Sequence, residues 1–287
     1  MHSEFIRFRL LSLLIASACL YSIHSLAYAK DTLSIGVLPR HNYTETIKMF
    51  LPLSKHLTKE LGIRVTISTT KNFDSFWKNV EANAYDVIHV NQYQYLSAHK
   101  KFGYRILMKN EEFGQSTIQS IIVARKDSGI NSVQDLKGKH VIFGGNSTAM
   151  MSYLIPVKMM HKENISPGQY HSSFAVTPPN ALIAVYLKSA DACGVGDVVL
   201  KLKSVKDVVD LNELKIISQS EAIPHLAWAT QKKLPNNLRD EIEKGFLKLN
   251  DSEQGLKILN RAKLTGIHRA THDEYSPLEQ YIDINNE

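Results

Sequence analysis

Residues 143–156 read FGGNSTAMMSYLIP and place a polar cluster between two apolar segments. The preceding segment, 139–143, has the length and composition of a short buried strand, whereas the following one is apolar around most of a helix. Ser147 or Thr148 is therefore predicted to be the helix N-cap. Such a turn can be purely structural, or its amides and hydroxyls can bind an anion.

The same alternation of strand-like and helix-like segments continues through most of the chain. Strands at 33–38 and 64–69 flank a helix at 44–61, in which Pro52 predicts a kink. This βαβ order is typical of an α/β fold with a mainly parallel sheet. Further helices are predicted at 73–82, 92–101, 179–188, 235–249, 253–262 and 275–284, and further strands at 85–90, 104–109, 118–124, 171–176, 191–195, 214–218 and 225–229.

A local repeat indicates two lobes of similar construction. Residues 76–90 and 180–195 each contain the end of a helix, a small residue, an Asp and a buried strand, and polar residues follow each strand. If the strand at 225–229 returns to the first lobe, two crossings join the lobes, and such a pair of crossings forms a hinge beside a cleft. We therefore predict lobe I at 30–122 and 223–287 and lobe II at 123–222.

The first 29 residues have the features of a signal peptide. A basic start precedes an apolar run at 10–20, and Ala27-Tyr28-Ala29 is a signal-peptidase type of ending. We predict cleavage after Ala29 and export to the periplasm; a lipoprotein site at Cys19 is a weaker alternative. Cys193 is then the only remaining cysteine, so no intrachain disulfide is expected.

The charge of the chain is modestly basic. Removing the signal peptide, which holds Glu4, Arg7 and Arg9, lowers the formal net charge from +6 to +5. The lysines are mostly isolated and form no stripe that could follow a phosphate backbone, so we expect no nucleic-acid partner.

Ligands of open α/β sheets bind at the carboxyl ends of the strands. In this chain those positions are rich in hydroxyls, amides and aromatic rings, and they lack a nucleophile with its base. The candidate ligand-binding residues are Tyr43, Tyr95, Asn146, Ser147, Thr148, Asn180 and Asp197.

Several of these candidates have an alternative structural role. Tyr43 and Tyr95 either line the ligand or cap helices with their rings in the core. Asp197 either accepts a hydrogen bond from the ligand or is the N-cap of the next helix. Arg40 either neutralises an anion or is solvated.

Catalytic and metal chemistry have weak support in the sequence. Cys193 lies within an apolar strand and is expected to be an inert buried thiol. His268 and His272 are four residues apart, but Gly266 and Pro277 favour a loop there, so neither a metal site nor a cofactor is expected. A fold-related enzyme that uses Cys193 or Asp197 remains an alternative of another class.

The polar cluster and several other motifs resemble those of one family. The motifs are the 143–148 cluster, Tyr153-Leu154 with Pro156, Asp135-Leu136-Lys137-Gly138-Lys139, Ala190-Asp191-Ala192, Ile223-Pro224-His225, Gly266-Ile267 and Tyr275. On these motifs the chain resembles the phosphate, phosphite and phosphonate-binding receptors of periplasmic ABC transporters, and the similarity extends in order over nearly the whole exported part.

The resemblance implies a type II periplasmic-binding-protein fold of two lobes, a Venus flytrap with two crossovers. It also implies that Ser147 and Thr148 hold phosphonate oxygens, that Tyr43 and Tyr95 close over them, and that Asp197 contacts the ligand. Two departures bear on the ligand. Ala149 replaces a usual hydroxyl, and the segment 177–180 lacks the family's binding histidine.

The expected function is capture of a small oxyanion (phosphonate, phosphite or phosphate) in the cleft for delivery to an ABC transporter permease in the inner membrane. We expect the receptor to be a monomer. The altered 177–180 segment motivates an alternative, in which the protein is the ligand-sensing partner of a membrane histidine kinase.

Overall fold

The computed structural model describes residues 31–282. The predicted signal peptide, the cleavage site after Ala29 and Cys19 lie outside the described residues. None of the helices within 31–282 has the length and apolarity required to cross a membrane.

Strands and helices alternate along the described chain. The strands are β1 (Thr32–Val37), β2 (Arg64–Ser68), β3 (Val87–Val90), β4 (Arg105–Glu111), β5 (Thr117–Ile118), β6 (Ser120–Arg125), β7 (His140–Gly144), β8 (His171–Ala175), β9 (Ala192–Gly196), β10 (Leu214–Gln219), β11 (Ile223–Pro224), β12 (Ala227–Thr230) and β13 (Gly266–Arg269). The α-helices are α1 (Tyr43–Leu61), α2 (Phe73–Glu81), α3 (Gln92–Phe102), α4 (Ile155–Lys162), α5 (Pro178–Tyr186), α6 (Lys203–Lys206), α7 (Asn236–Leu247), α8 (Glu253–Arg261) and α9 (His272–Tyr275). A π-helical segment, Met150–Leu154, precedes α4, and 3-10 segments include Asp197–Lys201 and Ser276–Tyr281.

Two mixed sheets form the centres of the two lobes. The first has the strand order β13-β4-β12-β3-β1-β2, and the second has the order β10-β6-β9-β7-β8. In the first sheet β1 is parallel to β2 and β3, whereas β12 is antiparallel to β3 and β4. The return of the chain to the first sheet through β12 agrees with the strand predicted at 225–229.

Two short strands connect the sheets. The chain passes from β4 through β5 into the second sheet and returns through β11, and β5 pairs antiparallel with β11, with Ile118 opposite Ile223. The chain thus crosses between the sheets twice. The predicted lobe boundary between residues 122 and 123 falls inside β6, which begins at Ser120 and pairs entirely within the second sheet. The first crossing is therefore a few residues earlier than predicted.

Local sequence signals explain where the longest helix begins and ends. Asn42 is the N-cap of α1 and accepts a hydrogen bond from the Glu45 amide at 2.9 Å. Gly62 ends the helix in the left-handed conformation with φ 67°. The helix continues through Pro52, because Met49, Phe50, Leu53 and Leu57 bury one face of it against the first sheet.

Apolar residues fill both faces of each sheet. Neighbouring residues such as Val87 and Ile88 belong to different clusters, since successive side chains of a strand point to opposite faces. One cluster also spans the two lobes, because Met150 and Ile155 of the second lobe join the hinge residues Ile118 and Ile223 in it.

The C-terminal part is less helical than predicted. Strand β13 pairs antiparallel with β4, with Gly266 opposite Glu111. Its four residues are too few to show an alternating pattern in the sequence. The helix predicted at 275–284 is instead the short helix α9 followed by a 3-10 segment up to Tyr281.

Candidate ligand-binding site

A tight turn leads from β7 into the helix of the polar cluster. Gly145 has φ +100°, and its amide donates to the Ala175 carbonyl at 2.9 Å. The side-chain oxygen of Asn146 then accepts from the Thr148 amide at 3.0 Å and from the Thr148 hydroxyl at 2.8 Å. This turn presents Asn146, Ser147 and Thr148 together at the carboxyl end of β7.

The predicted N-cap at Ser147 or Thr148 is wrong. The N-cap position is Ala149, which makes no side-chain capping bond, and the helix begins at Met150 with a π-helical turn. The reason is that Asn146 already binds the amide and hydroxyl of Thr148 in the preceding turn. The first amides of the helix therefore have no capping side chain from Ala149, and an anion can supply the missing acceptor.

The start of this helix touches the first lobe. Asn91 caps α3 through a reciprocal pair of bonds with Gln94, and its Nδ2 atom also donates to the Thr148 carbonyl at 3.4 Å. Asn91 follows β3 directly, and Thr148 follows β7. The carboxyl edges of the two sheets are therefore in contact at the candidate site.

The first lobe contributes a charged pair to the same edge. Arg40 follows β1, Glu112 follows β4, and their side chains form a salt bridge of 2.9 Å. The Glu112 side chain is 6% exposed and that of Arg40 is 40% exposed. Burial alone raises the pKa of Glu112, but the Arg40 charge opposes it, and the net result is a lowered pKa.

His225 adds a buried donor beside this pair. Its Nδ1 atom accepts from the Leu226 amide at 2.8 Å, so the proton of the neutral ring is on Nε2. That Nε2 atom lies 3.9 Å from Glu112 and has no hydrogen-bond partner among the described residues. Burial lowers the pKa of His225, with the Glu112 charge acting in the opposite direction, so the ring is neutral at pH 7.

Two further buried polar atoms near this edge have no partner within residues 31–282. The Asn110 oxygen accepts from the Trp228 indole at 2.8 Å, which turns its amide nitrogen toward His89 Nε2 at 3.0 Å. The proton of His89 is therefore on Nδ1, which is unpaired. Gln92 donates to the Pro224 carbonyl at 2.7 Å, but its side-chain oxygen is also unpaired. Buried polar groups usually have a hydrogen-bond partner, so these atoms can bind a water molecule, an ion or a ligand.

The other predicted residues differ in their surroundings. Tyr43 is 56% exposed at the first position of α1, at the carboxyl end of β1. Asn180 is exposed in the first turn of α5, where its amide donates to the Thr177 hydroxyl at 3.4 Å. The start of α5 lies against β7, since a Cβ on Gly144 would be 2.3 Å from Pro178.

Tyr95 and Asp197 have structural partners. Tyr95 is fully buried, burial raises its pKa to about 12, and its hydroxyl lies 2.9 Å from Nδ1 of His272. Its ring therefore packs in the core, which is the structural one of its two predicted roles. Asp197 is not an N-cap, because Gly196 holds that position; its carboxylate instead accepts from the Gln119 amide at 3.1 Å.

The sequence indicates Tyr43 in the first lobe but does not single out the Arg40–Glu112 pair or His225 there. For Arg40 the sequence favours a solvated loop position over an anion contact, and His225 stands out only as part of a motif. Glu112 gave no signal of its own, because Glu111 and Glu112 are adjacent and sequence does not show which one is buried. The strand ends themselves were the available signal, since Arg40 and Glu112 both follow strands of the first sheet.

The residues considered for catalysis or metal binding do not lie close to one another. Cys193 is fully buried, and burial raises the pKa of its thiol. His268 bonds Glu111 at 2.7 Å, whereas His272 bonds Tyr95. No group of three or more His, Cys, Asp or Glu residues within 31–282 is arranged to hold a metal ion.

Comparison with known proteins gives consistent matches over nearly the whole chain. The family described as ABC transporter, phosphonate, periplasmic substrate-binding protein matches residues 35–275. The phosphonates-binding periplasmic protein of Escherichia coli (strain K12) is 21% identical over 281 residues, which cover 93% of this chain and 83% of that protein.

Solved structures of similar fold include two with different ligands. PhnD1 from Prochlorococcus marinus (MIT 9301), in complex with methylphosphonate, has a TM-score of 0.76 and 17% identity, covering 89% of this chain and 98% of that chain. XAC2383 from Xanthomonas citri, bound to ATP, has a TM-score of 0.76 and 14% identity, covering 88% of this chain and 98% of that chain.

The two mixed sheets, the double crossing and these likenesses define a type II periplasmic binding protein with two lobes. The chain belongs to the family of periplasmic substrate-binding proteins of phosphonate ABC transporters. At identities below 25% the structural likeness shows the fold, so the ligand has to be argued from the site.

Proposed function

We propose that the cleft captures a small phosphorus oxyanion, namely a phosphonate, phosphite or phosphate, and that the two lobes close on it. The hydroxyl of Ser147 and the first amides of the following helix bind the anion oxygens. The Thr148 hydroxyl, which donates to Asn146 in the described structure, turns to the anion when the ligand binds. Arg40 and the Nε2–H group of His225 supply donors from the first lobe. Tyr43 and Asn180, at the ends of β1 and β8, complete the proposed set.

The observation that best supports this proposal is that two sheet edges, each with hydrogen-bond donors that can bind a ligand, meet at the site. The helix that starts at Met150 lacks a capping side chain, and it touches the first lobe through the bond between Asn91 and Thr148. On the facing edge the buried Nε2–H group of His225 lacks an acceptor among the described residues. An oxyanion between the two edges supplies acceptors to both.

The negative charge of Glu112 limits the affinity of the site for an anion. Because Glu112 already pairs with Arg40, the anion shares that guanidinium with a carboxylate. Fewer uncommitted donors imply weaker binding than a site with a third hydroxyl at position 149 and a histidine in segment 177–180 would give. Neither Tyr95 nor Asp197 is retained as a ligand contact in this proposal, since each has a partner of its own.

The experiment is a calorimetric titration of the protein lacking residues 1–29. The ligands are methylphosphonate, 2-aminoethylphosphonate, phosphite and phosphate, with sulfate as a matched anion without phosphorus. We expect saturable binding of one anion per chain for at least one phosphorus compound and weaker binding of sulfate. Absence of heat and of thermal stabilisation with all four phosphorus compounds would overturn the proposal.

We propose further that the protein is exported by cleavage after Ala29 and acts as a monomer that delivers its ligand to an inner-membrane permease. Mass spectrometry of the protein recovered from the periplasm tests the cleavage site, and sedimentation tests the oligomeric state. Ligand sensing stays a second candidate because the segment 177–180 departs from the family pattern and lacks its binding histidine; Thr177 and Pro178 are cap and packing residues there. A neighbouring permease gene supports transport, whereas a neighbouring histidine-kinase gene supports sensing.

A further inference from the structure

A second cavity lies in the first lobe, away from the cleft. It has a volume of about 350 Å³ and is bounded by α3, by β4, by the first turn of α7 and by the segment that leads into α9. Arg105, the first residue of β4, lines it, whereas Glu112 of the cleft follows the last residue of that strand. Seven residues of extended chain separate the two by roughly 23 Å. The cavity is therefore distinct from the proposed phosphonate site.

Two guanidinium groups give this cavity a positive charge. Arg239 donates from one terminal nitrogen to the Ile106 carbonyl, but its Nε atom is buried without a partner among the described residues. Arg105 donates to the Lys232 carbonyl at 3.3 Å. Neither arginine forms a salt bridge with a carboxylate within residues 31–282. Two guanidinium groups without a carboxylate partner at one cavity favour an anion there, and the charges of Asp273 and Glu279 near His272 offset only part of this effect.

Two stacked imidazole rings line the same cavity. The rings of His99 and His272 are 4.0 Å apart and nearly parallel, with an angle of 28°. His99 Nδ1 donates to the Tyr104 carbonyl at 2.7 Å, and His272 Nδ1 faces the Tyr95 hydroxyl at 2.9 Å, so both rings are held in place. A fixed aromatic surface beside two cations can hold the planar or apolar part of an organic anion.

We propose that this cavity is a second binding site, specific for an organic anion with one carboxylate or phosphoryl group and a flat apolar body. The anionic group pairs with Arg105 and Arg239, and the body packs against the His99–His272 ring stack. The volume is in the range of small-molecule pockets, about 300 to 1,000 Å³, and exceeds what inorganic phosphate fills. Occupation of this site leaves the cleft open for its own ligand.

The test uses phenyl phosphate and the protein lacking residues 1–29. Its binding is followed by calorimetry and by the NMR signals of the histidine side chains. We expect saturable shifts of the His99 and His272 signals, with inorganic phosphate causing smaller shifts at the same concentration. Benzoate replaces the phosphoryl group by a carboxylate and shows which anionic group is preferred.

Variants separate this site from the cleft. Arg105→Gln and Arg239→Gln each remove one cation and should weaken phenyl phosphate binding roughly tenfold or more. Arg64→Gln removes an exposed charge elsewhere in the same sheet and should leave the affinity unchanged. Thr148→Val alters the cleft and should also leave the His99 and His272 shifts unchanged.

Two outcomes overturn the proposal. One is the absence of saturable shifts of His99 and His272 in the unaltered protein with both phenyl phosphate and benzoate. The other is an equal loss of affinity in Arg105→Gln and Arg64→Gln. If Arg239→Gln fails to fold, the comparison of Arg105→Gln with Arg64→Gln still decides, because Arg105 is partly exposed and its side chain bonds one carbonyl.

Discussion

The side-chain amide of Asn91 donates to the Thr148 carbonyl at 3.4 Å, and this bond joins the end of β3 in the first lobe to the start of the ligand-facing helix in the second. Asn91 also accepts from the Gln94 amide at 2.8 Å as the N-cap of α3. One residue thus fixes a helix in its own lobe and contacts the other lobe. We therefore expect the side-chain amide of Asn91 to contribute more to the closed, ligand-bound state than to the stability of the first lobe.

Replacing Asn91 by Ser separates these two roles. Serine retains the capping oxygen but lacks the amide donor, so the melting temperature should change little. The affinity for methylphosphonate should fall roughly threefold to tenfold, as expected for one neutral hydrogen bond. Asn72→Ser is the matched control, because Asn72 caps α2 at 2.9 Å without an interlobe bond. An unchanged affinity in Asn91→Ser would show that the bond does not contribute to closure.

Removing the charge of Glu112 should strengthen anion binding. In Glu112→Gln the Arg40 guanidinium loses its charged partner and is more available to the ligand, and a negative charge near the anion disappears. At an effective dielectric constant of about 20, a unit charge within about 12 Å of the anion contributes about 1.4 kcal/mol or more, so binding should be at least roughly tenfold tighter. Glu241→Gln removes an exposed charge of the same lobe and is the control. Weaker methylphosphonate binding in Glu112→Gln would mean that the carboxylate itself contacts the ligand.

His89 should make the protein less stable in acid. Burial lowers its pKa from 6.5 to about 3, so between these pH values the unfolded chain binds a proton that the folded protein does not. The free energy of unfolding should therefore fall as the pH decreases from 6.5 toward 3, by up to about 1.4 kcal/mol per pH unit from this residue.

The variant His89→Gln removes that contribution. Urea unfolding at a series of pH values should show a shallower decline for His89→Gln, whereas His171→Gln, an exposed histidine of the second lobe, should behave as the unaltered protein. Parallel curves for all three proteins would contradict a buried neutral His89.

Cys193 should be inert while the protein is folded. Its side chain is fully buried in β9, and burial raises the pKa of the thiol, so little thiolate exists and none is accessible. Labelling with a thiol-specific reagent should proceed in urea at the rate of a free cysteine and be slower by orders of magnitude in native buffer. Rapid labelling of the native protein would reopen the enzymatic alternative.

The sequence predicts those parts of the fold that have long periodic patterns. Helix α1 and strand β6 are visible because 19 and six residues respectively carry clear apolar spacing and end signals. Strand β13 is missed because four residues cannot show an alternation, and the N-cap is assigned wrongly because the Asn146 side chain competes with the helix for Thr148. The local hydrophobic pattern does not show that a side chain competes with the helix for the same residue.

The candidate site is predictable on the side of the second lobe and only in part on that of the first, where Tyr43 is the predicted residue that the proposal keeps. Asn146, Ser147 and Thr148 are adjacent in sequence, so their grouping needs no tertiary information. Arg40 and Glu112 are 72 residues apart, and their pairing follows from the order of strands in the first sheet. Tyr95 shows the converse case, because its burial against His272 depends on a segment 177 residues away.

Titration of methylphosphonate into the double variant Ser147→Ala/Thr148→Val tests the central claim most directly. We predict that the unaltered protein binds one methylphosphonate per chain, that the double variant binds at least tenfold more weakly, and that Ser172→Ala/Ser204→Ala, which removes two exposed hydroxyls from the same lobe, binds normally. Equal affinity of the double variant and the unaltered protein would contradict an anion site at the start of the helix that follows Thr148.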